Sequence, residues 1–468
     1  MWALNTFIST SSVLKFHGYD HDIINIVDCQ WTKTLLLWML KHHPETRNFE
    51  NRTTCLAFMS VDDLKNNWDV FVVSDFQKML GVVGRLDLIK YSTSHGIPLT
   101  SMLWAEAIAH GHLHLLKWMQ RHEFTVHSGF CMVSACQNNQ LDIMKWFESE
   151  IPVHMEWYCM QAASHGNLEM LKWLRGKNCG WDKHTCKAAA TGRHFDILKW
   201  AHGEGCPWDE ETCTEIARTG DLEMLQWARS RDCPWNKKTC AMAAMSGNFE
   251  MLKWVRNQNC PWGPQTCNNA AKIGNLEMLQ WLRLHKCPWE GFVCHEAAMN
   301  GHLEILQWAR KEGCVYKKEL WEKFTLPEVA SGGHLHILQA ELETGFQLSQ
   351  TVWARAAEYG HLHILEWAAA KGFTFDAVVA SHAASGGNLE ILKWLRRHQC
   401  PWNEDTCSSA AHNGHLHVLM WARKHDCPWD QSTCDAAAID GHYDTYVWAL
   451  TNGCPCNRMH RIIPPWEP

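Results

Sequence analysis

The stretch Gly166–Gly192, GNLEMLKWLRGKNCGWDKHTCKAAATG, decides the fold. Leu168, Met170, Leu171, Trp173 and Leu174 make a broad apolar helix face, while Glu169 and Lys172 lie three apart on the other side, where opposite charges attract. Glu169 also falls in the first turn, where the helix dipole favours a negative charge. Just upstream, Ala162-Ala163, two spacers and Gly166 read as a helix ending at a residue free to take positive φ. In later copies Cys206-Pro207-Trp208 closes the second helix, because proline cannot continue it. Asp209 then stands as N-cap of the next helix, which carries Thr212, Cys213 and Ala217.

This unit recurs. Trp118, Trp146, Trp173, Trp200, Trp227, Trp254, Trp281 and Trp308, then Trp367, Trp394, Trp421 and Trp448, are spaced by 27 apart from one step of 28 and one gap. Tyr91 and Ala340 sit 27 before Trp118 and Trp367 and count as degenerate copies, giving 14 repeats between residues 76 and 456. One pair of short helices cannot bury its apolar face alone, but stacked copies share a continuous core. The sequence therefore predicts an all-α fold, a helical-hairpin solenoid.

The repeat A-A-x-x-G-[N/H/D]-L-E-x-L-x-W-L resembles the ankyrin pattern A-A-x-x-G-H-L-E-x-V-x-L-L-L, and runs without a gap through Asn178-Cys179-Gly180-Trp181-Asp182, where ankyrins have G-A-D-V-N. Thr185-Cys186 matches the Pro-Leu of the ankyrin T-P-L-H, which puts Cys186 at a core position. The resemblance implies about 14 shortened ankyrin-like repeats, since the unit has 27 residues and ankyrin's has about 33. The missing residues fall where ankyrins form their protruding β-hairpin loop. This Trp- and Cys-rich short form resembles repeats of large DNA viruses and single-celled eukaryotes. The regularity breaks at residues 311–333, where Cys-Pro-Trp is lost and about five residues are inserted, read as structural slack. Residues 1–75 do not fit the frame. Leu35–Leu40 reads as a degenerate helix in a divergent N-terminal cap, with a ubiquitin-ligase adaptor segment as the alternative, and residues 457–468 form a proline-rich tail.

Composition narrows the function. The 468 residues are 46% apolar and carry a net charge of −7, which excludes disorder and argues against a general nucleic-acid or anionic-membrane binder. No basic residue precedes an apolar stretch in the first twenty residues, and no apolar run approaches a membrane span, so an intracellular protein of cytoplasm or nucleus, in a host cell if viral, is expected. The 22 cysteines are then expected as thiols. Pairs seven apart, such as Cys206/Cys213 and Cys427/Cys434, lack the tight knuckle of a zinc site and read as small buried hydrophobes. A metal-binding or redox-responsive protein is the alternative they leave. The G-H-L-H histidines, as His112/His114, point apart on a helix and read as capping or surface residues. The repeated tryptophans, without interleaved Lys or Arg in their helix face, read as core and not as a platform for single-stranded nucleic acid. No catalytic motif is recognisable, so no enzyme, metal or cofactor is expected.

Copies within the chain differ mainly at the two spacers after Ala-Ala. By resemblance these face the concave groove of ankyrins. Arg218, Met245, Lys272, Ile273, Met299, Glu358, Tyr359 and His412 are the candidate partner-binding residues, because unconstrained surface positions more often turn polar. The expected function is a non-catalytic, monomeric scaffold binding a partner protein, with no nucleic acid and no membrane.

Overall fold

The computed structural model describes residues 37, 40–42, 49–71, 75–122, 128–147, 156–314 and 316–455. The tail and all but Leu37 and Leu40 of the Leu35–Leu40 run lie outside them. Every element described is helical. From Phe76–Val83 with Leu86–Ser94 to Gln431–Ile439 with Tyr443–Thr451, the helices form 14 successive hairpins, a helical-hairpin solenoid. Two compact units divide the chain, Met1–Trp208 and Asp209–Pro468. In the first unit, helix Phe49–Phe58 packs against the first helix of the opening hairpin, Phe76–Val83. Trp68 there sets its ring edge-on to Tyr91 at 5.8 Å, so the degenerate Tyr still holds an aromatic contact.

Local rules explain each boundary. Asp182, Asp209 and Asp430 cap first helices by accepting the amide two residues on, as the sequence requires for Asp209. The second helix ends before Cys-Pro-Trp is reached. Helix Leu276–Leu284, for example, gives way to Lys286 at φ +61°, a left-handed residue, and proline two residues later only confirms the stop. Gly274 bears out the expectation of positive φ, at +77°, and meets a second constraint, because a Cβ there would lie 2.5 Å from the His302 ring.

First helices of consecutive repeats pack side by side, as Glu210–Thr219 on Lys237–Met245 and Gln350–Glu358 on Ala377–Ser385. The Ala-Ala pair, the first-helix Cys and the Met-Leu or Ile-Leu of the second helix fill the core, with Ala243, Ala244, Cys240, Met251 and Leu252 all wholly buried. Small first-helix residues allow the close approach, and long second-helix residues fill the volume left between. Cys186 lies in the core, as its position in the frame implies.

The tryptophans depart from expectation. The second-helix tryptophans of the repeat are half-buried instead of filling the core, whereas Trp104 and Trp353 of first helices are buried. In the regular repeats the second-helix indole meets the Cys-Pro-Trp indole of the preceding turn edge to face, as Trp235 with Trp254 at 6.0 Å and Trp262 with Trp281 at 6.1 Å. An arginine covers the turn indole, with Arg256 4.2 Å from Trp262 and Arg283 4.2 Å from Trp289. The same guanidinium donates to the Cys carbonyl that ends the turn, at 3.2 Å from Arg256 to Cys260 and 2.9 Å from Arg283 to Cys287. Arginine sits two residues after seven of the twelve repeat tryptophans, as Arg256 after Trp254, on the helix flank, so the apolar face alone does not display it. Helix end, turn and ring are thus held by one cation.

The cysteines also pair differently. Partners lie 20 apart, not seven: Cys240 donates toward the Cys260 carbonyl at 3.7 Å, and the Cys260 thiol reaches the Asn236 carbonyl at 3.5 Å. Each pair joins the start of a hairpin to its closing turn. Contact with its partner thiol and burial push Cys240 well above the usual thiol range, as they do Cys206, Cys287, Cys294 and Cys407. Burial pushes Cys400 up to about 12, so these groups remain thiols, small and soft, within the packing.

Candidate binding face

Many turns between first and second helix are tied to the repeat before them. His302 donates from Nε2 to the Lys272 carbonyl at 3.0 Å, His334 to Met299 at 3.0 Å and His361 to Ser331 at 2.8 Å. Asn248 and Asn388 do the same by their amides, to Gly220 at 3.0 Å and Ala357 at 2.8 Å. The second His of G-H-L-H extends this, with His336 on Gly301 at 2.8 Å and His363 on Gly333 at 3.2 Å. These histidines are therefore bridges between repeats, a role the sequence reading missed by treating each repeat alone. Burial lowers the titration of His334 and His415 below the usual imidazole range.

The bridges fix the C-terminal ends of the first helices in a row, and all eight candidate residues stand on that row in the second unit. Arg218, Lys272, Tyr359 and His412 are exposed, and Met245, Ile273, Met299 and Glu358 are half-buried. Arg218 donates to Glu215 at 2.7 Å, and His412 lies 2.6 Å from Asp440. Ile273 reaches back over the turn of the preceding repeat, where a Cβ on Gly247 would be 3.9 Å from its Cδ1. Glu358 meets both Arg355 at 3.1 Å and His382 at 3.0 Å, so its carboxylate is committed to a network. Tyr359 remains 55% exposed beside Arg355.

Other exposed apolar residues were not among the candidates. Phe324 and Val378 occupy one register, two residues before the position that regular repeats fill with Cys, and are 53% and 46% exposed. Placing the inserted segment on the 27-residue frame by its Val329-Ala330 pair would have revealed them. That segment is an ordered part of the stack. A short helix Lys318–Leu320 runs into one π-helical turn, Trp321–Thr325, and then Leu326–Ser331. Trp321 turns inward, 2% exposed, and donates from Nε1 to Glu341 at 3.0 Å; Glu341 also holds Arg310 at 2.9 Å.

Among the described residues, no three metal-ligating side chains converge, and no helix is long and apolar enough to cross a membrane.

No family model matches the chain, and no curated protein matches it. Among solved structures, the pentatricopeptide repeat protein PPR10 in complex with an 18-nt psaJ RNA element is similar, at 12% identity and TM-score 0.36, covering 91% of this chain and 72% of that one. A variant of PPR10 with the same RNA element gives the same figures. PPR10 from maize is similar at 11% identity and TM-score 0.30, over 91% of this chain and 82% of that one. These are helical-repeat proteins, and two of the structures hold RNA; the expectation that this chain takes no nucleic acid is withdrawn. The helix-face reading also missed that guanidinium groups lie over the turn indoles, as Arg256 over Trp262 and Arg283 over Trp289.

Proposed function

We propose that this chain is a non-catalytic scaffold of the ankyrin type, working inside the cell, which binds a partner protein through the row of first-helix ends. One observation carries the reading. The Cys pairs, the Arg–Trp clamps and the His or Asn bridges repeat nearly unchanged, while the ends of the first helices differ from one repeat to the next and keep Tyr359 in the open. A face that is individual on a uniform frame is how repeat proteins present a surface to one partner. The test is affinity capture from the native cell, comparing wild type with Met245, Lys272, Met299 and Tyr359 replaced together by alanine. Loss of a specific protein with unchanged helicity supports the reading, and its retention contradicts it.

The Arg–Trp edge favours a second reading, single-stranded RNA lying along alternating rings and cations. Filter binding of a random 18-nt RNA pool tests it. Binding lost in Arg256→Ala/Arg283→Ala would support RNA; no binding at moderate salt would end it.

A further inference from the structure

Across three consecutive first helices of the second unit runs a groove of about 250 Å³, floored by Pro327 and Ala354 and flanked by Phe324 and Val378. Its register is informative. Two residues before the Cys position, the neighbouring repeats carry Glu211, Lys238 and Gln265 on one side, and Asp405 and Ser432 on the other. Phe292, Phe324 and Val378 interrupt that polar row with exposed apolar surface in three of four successive repeats, Thr351 standing between the last two, and a surface free of any partner would more often be polar there. The π-helical turn supplies the geometry, holding Trp321 inward and Phe324 outward, and such turns concentrate at functional sites.

The charges around the groove are unevenly used. Arg355 bridges Glu328 at 2.8 Å and Glu358 at 3.1 Å, and Glu358 also holds His382 at 3.0 Å, so this wall is an internally paired network that fixes the groove's shape. Lys323, on the opposite rim, is exposed, lies 5.3 Å from the Phe324 ring and makes no ion pair among the described residues. The groove thus offers apolar walls and one uncommitted cation. A phosphate backbone would carry a charge at every residue past the Glu328 carboxylate that lines the groove, whereas a peptide can set a single acid at Lys323, which speaks for a peptide.

We propose that this groove docks a short segment of the partner protein in which one bulky apolar side chain lies beside an aspartate or glutamate. The apolar side chain seats between Phe324 and Val378 over Ala354, and the carboxylate reaches Lys323. This rests on the reading that the first-helix face binds protein, and gives that face its anchor point.

The test uses the purified full-length chain against a phage-displayed library of random linear peptides. The account expects selected peptides to share a bulky apolar residue within three positions of Asp or Glu. Thr351→Trp, which puts an indole into the groove from an exposed position, weakens their binding at least tenfold. Lys323→Glu weakens them comparably and selects peptides with Lys or Arg in place of the acid, a reversal that a structural role for Lys323 would not produce. Unchanged thermal unfolding of both variants shows that the frame is intact. No enriched motif, a motif indifferent to both substitutions, or displacement of the bound peptides by the RNA pool would each overturn the proposal. If the groove fails while four-residue capture still loses its partner, the scaffold reading stands without it.

Discussion

The hairpin Gly263–Cys287 and the hairpin Lys317–Thr344 solve one packing problem with different residues. At the first, Arg256 of the preceding helix covers Trp262 of the turn leading in, Trp281 meets that ring edge-on, and the buried residue after Trp281 is Leu282. In the second, Ala340 replaces the helical Trp and Glu341 replaces the buried aliphatic. Trp321, brought in by the inserted π turn, fills the vacated volume, and Arg310 turns from the usual carbonyl to Glu341 while lying 4.9 Å from Tyr316 and 5.3 Å from Trp321. The conserved quantity is a cation held between aromatic faces and an acceptor, not the residues that provide them. The insertion that looks like drift is a rebuilt clamp, and the same turn exposes Phe324 toward the groove.

The comparison can be broken on either side. In the irregular hairpin, Glu341→Ala strands Arg310 and the Trp321 N–H in a buried setting, and is expected to cost about 3–5 kcal/mol of local stability. Because repeat arrays open locally, hydrogen exchange at residues 317–344 is the measurement, and protection there should fall far more than at 236–260. In the regular hairpin, Trp262→Ala removes a half-buried ring and its guanidinium contact, for roughly 2 kcal/mol. Exchange should then rise at 263–287 and leave the Glu341 segment unchanged.

Two smaller changes sharpen it. Lys286→Gly relieves a left-handed residue at φ +61° and should stabilise its hairpin by about 0.5–1 kcal/mol, read as slower exchange at Cys287. The bridging histidines give a pH signature of known sign. Burial holds His334 below its ordinary pKa, so the native state resists protonation; this contribution is full above the usual histidine pKa and is lost as pH falls below it. His334→Asn keeps the bridge, as Asn248 and Asn388 do in other repeats, and should flatten the fall in protection between neutral pH and pH 5.

Much of the fold was legible because its rules are local. The Ala-Ala core, the Asp209 cap and the positive φ after first helices follow from residues within a few positions of one another. What escaped lies between repeats. The Arg–Trp clamp joins a helix flank to a turn six residues on, the Cys pairs span 20, and the His bridges cross to a carbonyl 30 residues back, so no single-helix face displays them. The candidate residues were found by comparing copies. Phe324 and Val378 were not, since the insertion hid their register.

The most direct measurement of the central claim is site-specific photocrosslinking in the native cell, with p-benzoylphenylalanine at Tyr359 on the first-helix face and, separately, at Leu284, which is 79% exposed at the end of a second helix. The account predicts a discrete protein adduct from position 359 and none from 284. No protein adduct at 359, or the same adducts from both positions, would contradict it.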